Sequence, residues 1–490
     1  MIQFENLVGG QSVPARETFE SFDPYTGKPW ALIPAQTPDD VDRAVGAAKA
    51  AFKSPDWRGL TATARGKLLV KFADILSAHV TRLAELETRD NGKLLAEMSV
   101  QVGYLPEWYR YFGGLCDKIE GAVLPIDKPN MFAYTKSEPL GVIAAIVPWN
   151  SPLLLLTWKL AALLAAGNTV VIKPSEHAAA STLEFVKLFK EAGFPDGVVN
   201  TVTGMPMEVG APLVSHPDVA KVAFTGGEAG GKAIYTAAAQ DFKPVTLELG
   251  GKSANIIFDD ADVDNAVKGA ISGIFAASGQ TCIAGSRLLV HRCVHDRVVD
   301  GVVALAKTAR IGNPALKETQ VGPVTTLPHR KTVLSYMDVA KGEGAEAVLG
   351  GGTPDGADLK DGWFVEPTIF TGVTNQMRIA REEVFGPILS IIPFHDEDEA
   401  FEIANDSPYG LAAGVWTQNI GRTYRAADAL EAGTVWINTY RAVSFMAPFG
   451  GYKRSGIGRE SGQEAINAYL QTKTVWIDAL GETANPFIIR

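Results

Sequence analysis

The sequence predicts an α/β protein, and three observations carry the prediction. Between residues 141 and 258, short β-branched runs alternate with segments of helix length, the pattern of parallel strands covered by helices. A second series of the same kind follows, opening with a helix near Val263. The 490 residues are 46% hydrophobic and 20% charged, a core-forming composition for roughly two to four domain-sized units.

In chain order, the first clear amphipathic helix runs from Thr61 to about residue 86. Leu68, Leu69, Phe72, Ile75, Leu76 and Leu83 share one face, and Thr61 is its N-cap. His79 lies beside this stripe without a partner motif and reads as a packing residue. "MFAYTKSEPLGV", from Met131, and "YLQTKTVWI", near the end of the chain, are strand-like runs detached from the main series. Such a pair suits a small ribbon that joins subunits along a strand edge. "LLLLTWKLAALLAA" at 153–166 contains Lys159 and is shorter than the roughly 18 to 20 residues of a membrane span, so it reads as a buried helix. The strands of the first series are "VIAAIV", "TVVIK", "KVAF", "VTLEL" and "ANIIF". The second series holds helices at 263–277 and 295–309 and strands "ILSIIPF" and "GTVWIN". Ligands of parallel sheets bind beyond the carboxyl ends of the strands, and two α/β units in succession leave a cleft between them.

The net charge of -10 is spread without a basic stripe, which argues against a nucleic-acid or anionic-membrane partner. Cys116, Cys282 and Cys293 make neither a disulfide framework nor a metal-ligand spacing. No metal is expected, and a reducing cytoplasm fits. "MIQFENLVGGQSV" does not read as a secretion signal.

Small-molecule chemistry is the class left, and five stretches could carry it. Cys282, in "GIFAASGQTCIAGSR", follows an apolar helix-like run and is flanked by small and polar residues. They leave access for a carbonyl and backbone donors for its oxygen, although a lone cysteine also serves as a small core residue. Glu248 ends the strand run of "VTLELGGKS", where partial burial raises a carboxylate toward general-base range; capping of a neighbouring helix or a pair with Lys252 is the alternative. Asn150, in "IVPWNSP", is a neutral donor suited to an oxyanion or a turn former. Gly226, Gly227, Gly230 and Gly231, in "KVAFTGGEAGG", open a helix where a diphosphate can approach backbone N–H groups. Lys173 and Glu176, in "VVIKPSE", stand just past a strand, placed for ribose hydroxyls or for a surface ion pair.

"PWN", "KPSE", "FTGG", "LELGGKS", "GQTC", "EEVFGP" and "PFGGYKRSG" stand in the order and spacing of the aldehyde dehydrogenase superfamily, which nearly the whole chain resembles. The resemblance implies a Rossmann-like NAD-binding domain (1–120 and 140–250), an α/β catalytic domain (251–460), and a small β oligomerisation ribbon (121–139 and 461–490). A homodimer or homotetramer follows from it. It makes Cys282 the nucleophile that forms a thiohemiacetal and then a thioester, Asn150 the oxyanion donor, Glu248 the base that activates the hydrolytic water, and Glu460 a proton relay, the alternative being an ion pair with Arg459 or Lys453. Trp149, Gly226, Gly227 and Gly231 are implied near the cofactor diphosphate, Lys173 and Glu176 at the adenosine ribose, and Glu383 and Phe385 at the nicotinamide. Gly227 departs from the family's usual serine. Glu176 would accept from a free 2′-hydroxyl and repel a 2′-phosphate, which favours NAD, though some members with this glutamate also accept NADP.

The implied aldehyde pocket comprises Ser151, Leu155, Trp158, Thr281, Ile283, Arg441 and Phe449, with Ser151 where many relatives carry phenylalanine. Arg441 either binds a substrate carboxylate, selecting a semialdehyde or other acidic aldehyde, or is solvated or makes an ion pair between subunits. The other readings are a CoA-acylating dehydrogenase, a cysteine hydrolase and a non-catalytic NAD-binding protein.

Overall fold

Two sheets built mainly of parallel strands organise the computed structural model, which describes residues 1–481 and 485–488. Residues 482–484 and 489–490 of the expected bridging segment lie outside the described residues. The first sheet runs Val199–Thr201, Thr169–Lys173, Val142–Ile146, Val219–Thr225, Val245–Glu248, Gly456–Ile457; every neighbouring pair is parallel except the last. Starting at Val142–Ile146 the chain builds outward on one side, then returns to build the other. Strand order therefore reverses between Val142–Ile146 and Val219–Thr225, where an open α/β sheet forms its ligand crevice. The chain leaves these two strands through Pro148–Asn150 and Gly226–Gly227.

The second sheet runs Glu346–Leu349, Thr368–Thr371, Ile388–Phe394, Arg287–His291, Ala254–Ile257, Ala412–Trp416, Thr434–Ile437, parallel except for its first pair. The run "ANIIF" thus belongs to this sheet rather than to the series that precedes it, since the Leu249–Ser253 segment carries the chain across from Glu248. The three-residue strand Val199–Thr201 went unread because it is short and its Asn200 and Thr201 are polar, yet both are fully buried.

The helix expected over residues 61 to 86 is two helices, Ala62–Ala78 and Val80–Asn91. Thr61 caps the first, its Oγ1 accepting from Ala64 N at 3.2 Å. At His79 the backbone N–H turns to Leu76 O at 3.0 Å and Nδ1 sits 2.9 Å from Ile75 O, which closes one ladder before the next begins. Pro152–Ala166 is buried at 14 of its 15 positions, which explains apolar residues all around it. It packs against the Pro106–Leu115 helix and the Gln463–Tyr469 turns. Among the described residues, no helix is long and apolar enough to cross a membrane.

The two detached runs form the ribbon the sequence suggests. Leu470–Asp478 pairs antiparallel with Met131–Pro139 from Leu470/Pro139 to Asp478/Met131, and Val123–Leu124 adds a short strand on the far side of Met131–Pro139. Leu470–Asp478 is therefore an edge, with Trp476 and Ile477 exposed.

Candidate active site

The Val263–Phe275 helix is capped by Asp262, whose Oδ1 accepts from Asn265 N at 3.2 Å, and it ends in a strained turn before Cys282. Ala277, Ser278 and Gly279 have φ values of 53°, 53° and 71°. For Ala and Ser this left-handed backbone is costly and persists only when its surroundings hold it. Glu97 Oε1 accepts from Ala277 N at 3.0 Å, and Ser278 Oγ donates to Gly322 O at 2.8 Å. A Cβ at Gly279 would lie 2.1 Å from Gly386 O, so no side chain fits there. The turn brings Cys282 to a cleft of about 320 Å³ that is also lined by Trp149, Asn150, Leu155, Gly226, Gly227, Glu383 and Phe385. Burial pushes the Cys282 thiol up to about 12, and the Glu248 and Glu383 carboxyls add to that rise.

Asn150 is buried, with Nδ2 donating to Gln280 O at 3.1 Å. Gln280 is itself locked by Thr325 N donating to its Oε1 at 2.9 Å. Glu248 ends its strand 3% exposed, and among the described residues neither carboxyl oxygen has a hydrogen-bond partner, so the pair with Lys252 is not formed. Burial raises its pKa well above the ordinary carboxylate range; Glu460 raises it further, while Lys159 and Arg459 oppose the rise. Behind it, Lys159 Nζ donates to Glu460 Oε1 at 2.6 Å and to Thr225 Oγ1 at 2.8 Å, with both charged side chains buried. Glu460 thus pairs with Lys159 and not with its neighbours Arg459 or Lys453, because the lysine in the apolar helix needs a counter-ion and finds it 301 residues away, as a buried charge requires.

At the switch point, Gly227 stands before the twelve-residue helix Glu228–Ala239, whose first N–H groups face outward without intrahelical partners. A Cβ at Gly226 would strike the Phe224 ring at 2.4 Å, and one at Gly231 would strike Leu249 at 2.6 Å; at Gly227 it would meet nothing within 4 Å. Gly231 is accordingly a packing position one turn into the helix. Glu383 Oε1 accepts from Gly251 N at 3.0 Å, and burial raises its carboxyl to about 7. Phe385 has a φ of 60° and meets Trp149 edge-on at 5.4 Å. Lys173 is buried 3.6 Å from Glu176, which borders a neighbouring cavity with Ser21, Phe22 and Thr325.

The expected aldehyde positions fall into two places. Leu155 lines the Cys282 cleft, while Trp158 and Phe449 pack on each other at 4.8 Å and Ile283 is buried. Thr281 is half-buried beside Cys282. Arg441 instead lines a second cavity, of about 510 Å³, with Lys93, Glu97, Gln101, Tyr104, Leu154 and Val443. Its Nη1 donates to Ser272 O at 3.3 Å, and among the described residues it makes no ion pair. Ser151 is buried and accepts from Lys93 Nζ at 2.7 Å.

The model of the aldehyde dehydrogenase family matches residues 12–475. The chain belongs to the aldehyde dehydrogenase family. It is 46% identical to (Z)-2-((N-methylformamido)methylene)-5-hydroxybutyrolactone dehydrogenase of Acinetobacter baylyi, over 100% of both chains. The aldehyde dehydrogenase of Bacillus cereus, solved as an NAD+ complex, superposes with a TM-score of 0.95 at 45% identity, covering 97% of this chain and 96% of that one. Betaine aldehyde dehydrogenase of Staphylococcus aureus, also solved with NAD+, gives 0.97 at 41% identity over 100% and 97% of the two chains. The α/β architecture expected from the motifs is the architecture found, and the chain is an enzyme of this family.

The aldehyde dehydrogenase motifs do not point to two residues that the fold brings to the site. His329 lines the Cys282 cleft with Nε2 2.7 Å from Phe385 O, where it packs near Trp149. Lys93 is the other. Its only sequence signal is a lysine after Asn91–Gly92, which reads as an ordinary turn.

Proposed function

We propose that this aldehyde dehydrogenase oxidises a carboxylate-bearing aldehyde to the corresponding acid with NAD+ as acceptor and water as the second substrate. The observation that carries the reading is the convergence of Cys282, Asn150, Glu383 and Phe385 on one cleft, with the Glu248 carboxyl, unpartnered among the described residues, close enough to act on the Cys282 thiol. The Cys282 thiol gives its proton to water in the cleft, its sulfur adds to the aldehyde carbon, and the carbonyl oxygen becomes an oxyanion held by Asn150 Nδ2 and the Cys282 N–H. One such donor is worth about 2.7 to 4 kcal/mol of transition-state stabilisation. NAD+, when bound, supplies the acceptor for the two electrons and one proton that the adduct loses in becoming a thioester. Glu248 then takes a proton from water, the hydroxide oxygen bonds to the thioester carbon, and the C–S bond breaks to return the thiol and release the acid. Glu460, which pairs with Lys159 and is close enough to raise the Glu248 carboxyl, takes the role of passing that proton on in this reading.

The residues present suit the dinucleotide. Gly226 and Gly227 leave the Glu228–Ala239 N-terminus open to a diphosphate, Glu383 offers a carboxylate to a ribose, and Glu176 favours a free 2′-hydroxyl. A hydroxyl at position 227 has room, so Gly227→Ser is expected to tighten NAD+ binding by about 1 kcal/mol, roughly fivefold. The Kd from an NAD+ titration reads this directly, and an unchanged value would mean that backbone donors already satisfy the phosphate.

Arg441, which makes no ion pair among the described residues, supports an acidic substrate. The chemistry of the Acinetobacter relative points the same way, because a 5-hydroxybutyrolactone is the ring-closed form of a 4-oxobutanoate. The cationic aldehyde in the name of the Staphylococcus enzyme would be repelled by that guanidinium. The test is NADH formation without CoA from 4-oxobutanoate, butanal and betaine aldehyde. A charge-assisted hydrogen bond predicts kcat/KM for 4-oxobutanoate about 10- to 100-fold above butanal. Equal or better turnover of the other two would remove the acidic assignment, and a requirement for CoA would move the enzyme to the acylating branch. The exposed Leu470–Asp478 edge supports subunit pairing through the ribbon, and the three free cysteines suit a reducing cytoplasm.

A further inference from the structure

Lys93 stands between the Val80–Asn91 and Leu95–Tyr104 helices, where a turn lysine would ordinarily reach water, yet it is 3% exposed. Its ammonium donates to Ser151 Oγ, and among the described residues it has no carboxylate within ion-pair distance. An ammonium with three donors that is buried against one hydroxyl is costly, and a cost of this kind beside a cleft makes the group a candidate for a functional role. The charged and titratable groups that face it are Glu97, Arg441, Glu87 and Cys282. One oxygen of each carboxylate is engaged, Glu97 Oε1 by Ala277 N and Glu87 Oε1 by Leu153 N, each at 3.0 Å, while the second oxygen of each is buried without a partner among the described residues and neither reaches Lys93 at ion-pair distance.

Lys93 and Arg441 line the same 510 Å³ cavity. Ser151, which holds the Lys93 ammonium, directly follows Asn150 in the wall of the Cys282 cleft. The inner cation is therefore close to the reacting end of the site, and the outer one sits on the loop at residue 441, whose φ is 67° and whose Nη1 donates to Ser272 O at 3.3 Å. With Glu97 in the same wall, the three charges lining the cavity sum to a single positive charge, which matches one carboxylate and not two.

We propose that Lys93 is the inner contact of a carboxylate subsite whose outer contact is Arg441, so that the enzyme selects short aldehydes bearing a single carboxylate and reads their chain length from the distance between Lys93 and Cys282. The inference rests on the acidic-aldehyde reading above. It goes further by naming the buried residue that sets the choice and by adding length as a second criterion.

The experiment is steady-state kinetics of Lys93→Met, Lys93→Arg and Arg441→Met at saturating NAD+, with 4-oxobutanoate, 5-oxopentanoate and butanal. Lys93→Met is expected to raise KM for 4-oxobutanoate about 100-fold and to change butanal kinetics by less than about threefold; Arg441→Met raises KM for the acid about tenfold. Succinate, an unreactive probe, should inhibit butanal oxidation competitively in the wild type and about 100-fold less well in Lys93→Met. Lys93→Arg keeps the charge on a longer head. It should retain the acidic preference and shift the optimum toward the shorter acid, a readout that stands even where Lys93→Met does not fold. Equal losses with acid and neutral aldehydes in Lys93→Met, or an unchanged length profile in Lys93→Arg, would overturn the assignment. A wild type that does not distinguish 4-oxobutanoate from butanal would instead overturn the acidic-aldehyde reading itself.

Discussion

Cys282→Ala is expected to lower NADH formation from every aldehyde by about 10⁴-fold or more, because the proposed route has no uncatalysed substitute for the covalent adduct. Asn150, Glu248 and the glycine loop stay in place in this variant. Aldehyde and NAD+ would still meet in the 320 Å³ cleft, but an aldehyde without an added sulfur has no oxyanion for Asn150 to hold. NAD+ affinity should therefore change by less than about threefold, and a titration of NAD+ alongside the rate measurement separates loss of chemistry from loss of the site. Cys282→Ser should be nearly as inactive: burial and the two nearby carboxyls push even the thiol up to about 12, and an alcohol in the same place ionises far less readily. Turnover of Cys282→Ala within about 100-fold of wild type would remove the nucleophile assignment.

How far the sequence reaches depends on whether a feature is local. Parallel strands such as Val142–Ile146 and Thr169–Lys173 are buried along their whole length and so read as unbroken β-branched runs. Val199–Thr201 hides among polar letters because its Asn200 and Thr201 are satisfied by distant partners: Thr201 Oγ1 accepts from Leu7 N, and Asn200 Oδ1 accepts from Gly9 N, each at 2.9 Å. Which sheet takes "ANIIF" is a matter of pairing and not of composition, and the alternation of strands and helices is silent on it. The same distinction governs the site. Cys282, Asn150 and Glu248 sit in motifs whose neighbours announce them, and the fold brings these motifs around one crevice. Lys93 and the Lys159–Glu460 pair gain their meaning from contacts 58 and 301 residues away, so a reading of neighbours gives one as a turn lysine and the other as an interruption in an apolar helix.

The second large effect concerns Glu248. Glu248→Gln is expected to release one equivalent of NADH per active site in a rapid burst and then to turn over about 10²- to 10⁴-fold more slowly than wild type, the range for loss of a general base. The amide is nearly isosteric, so packing around Leu247 and Gly450 is kept, but it cannot take a proton from water and the thioester persists. The pH dependence follows from the same surroundings. Burial first, then Glu460, raises the Glu248 pKa, and Lys159 and Arg459 restrain it. The base works only as carboxylate, so deacylation in the wild type should fall as pH drops through that raised pKa, well above where an exposed glutamate would titrate. In Glu248→Gln this acidic limb should vanish from the slow phase, and hydroxylamine, which needs no base to attack a thioester, should restore turnover. A variant that shows no burst would place Glu248 before the thioester, as the group that takes the Cys282 proton, because the step lost would then be formation of the adduct and not its hydrolysis.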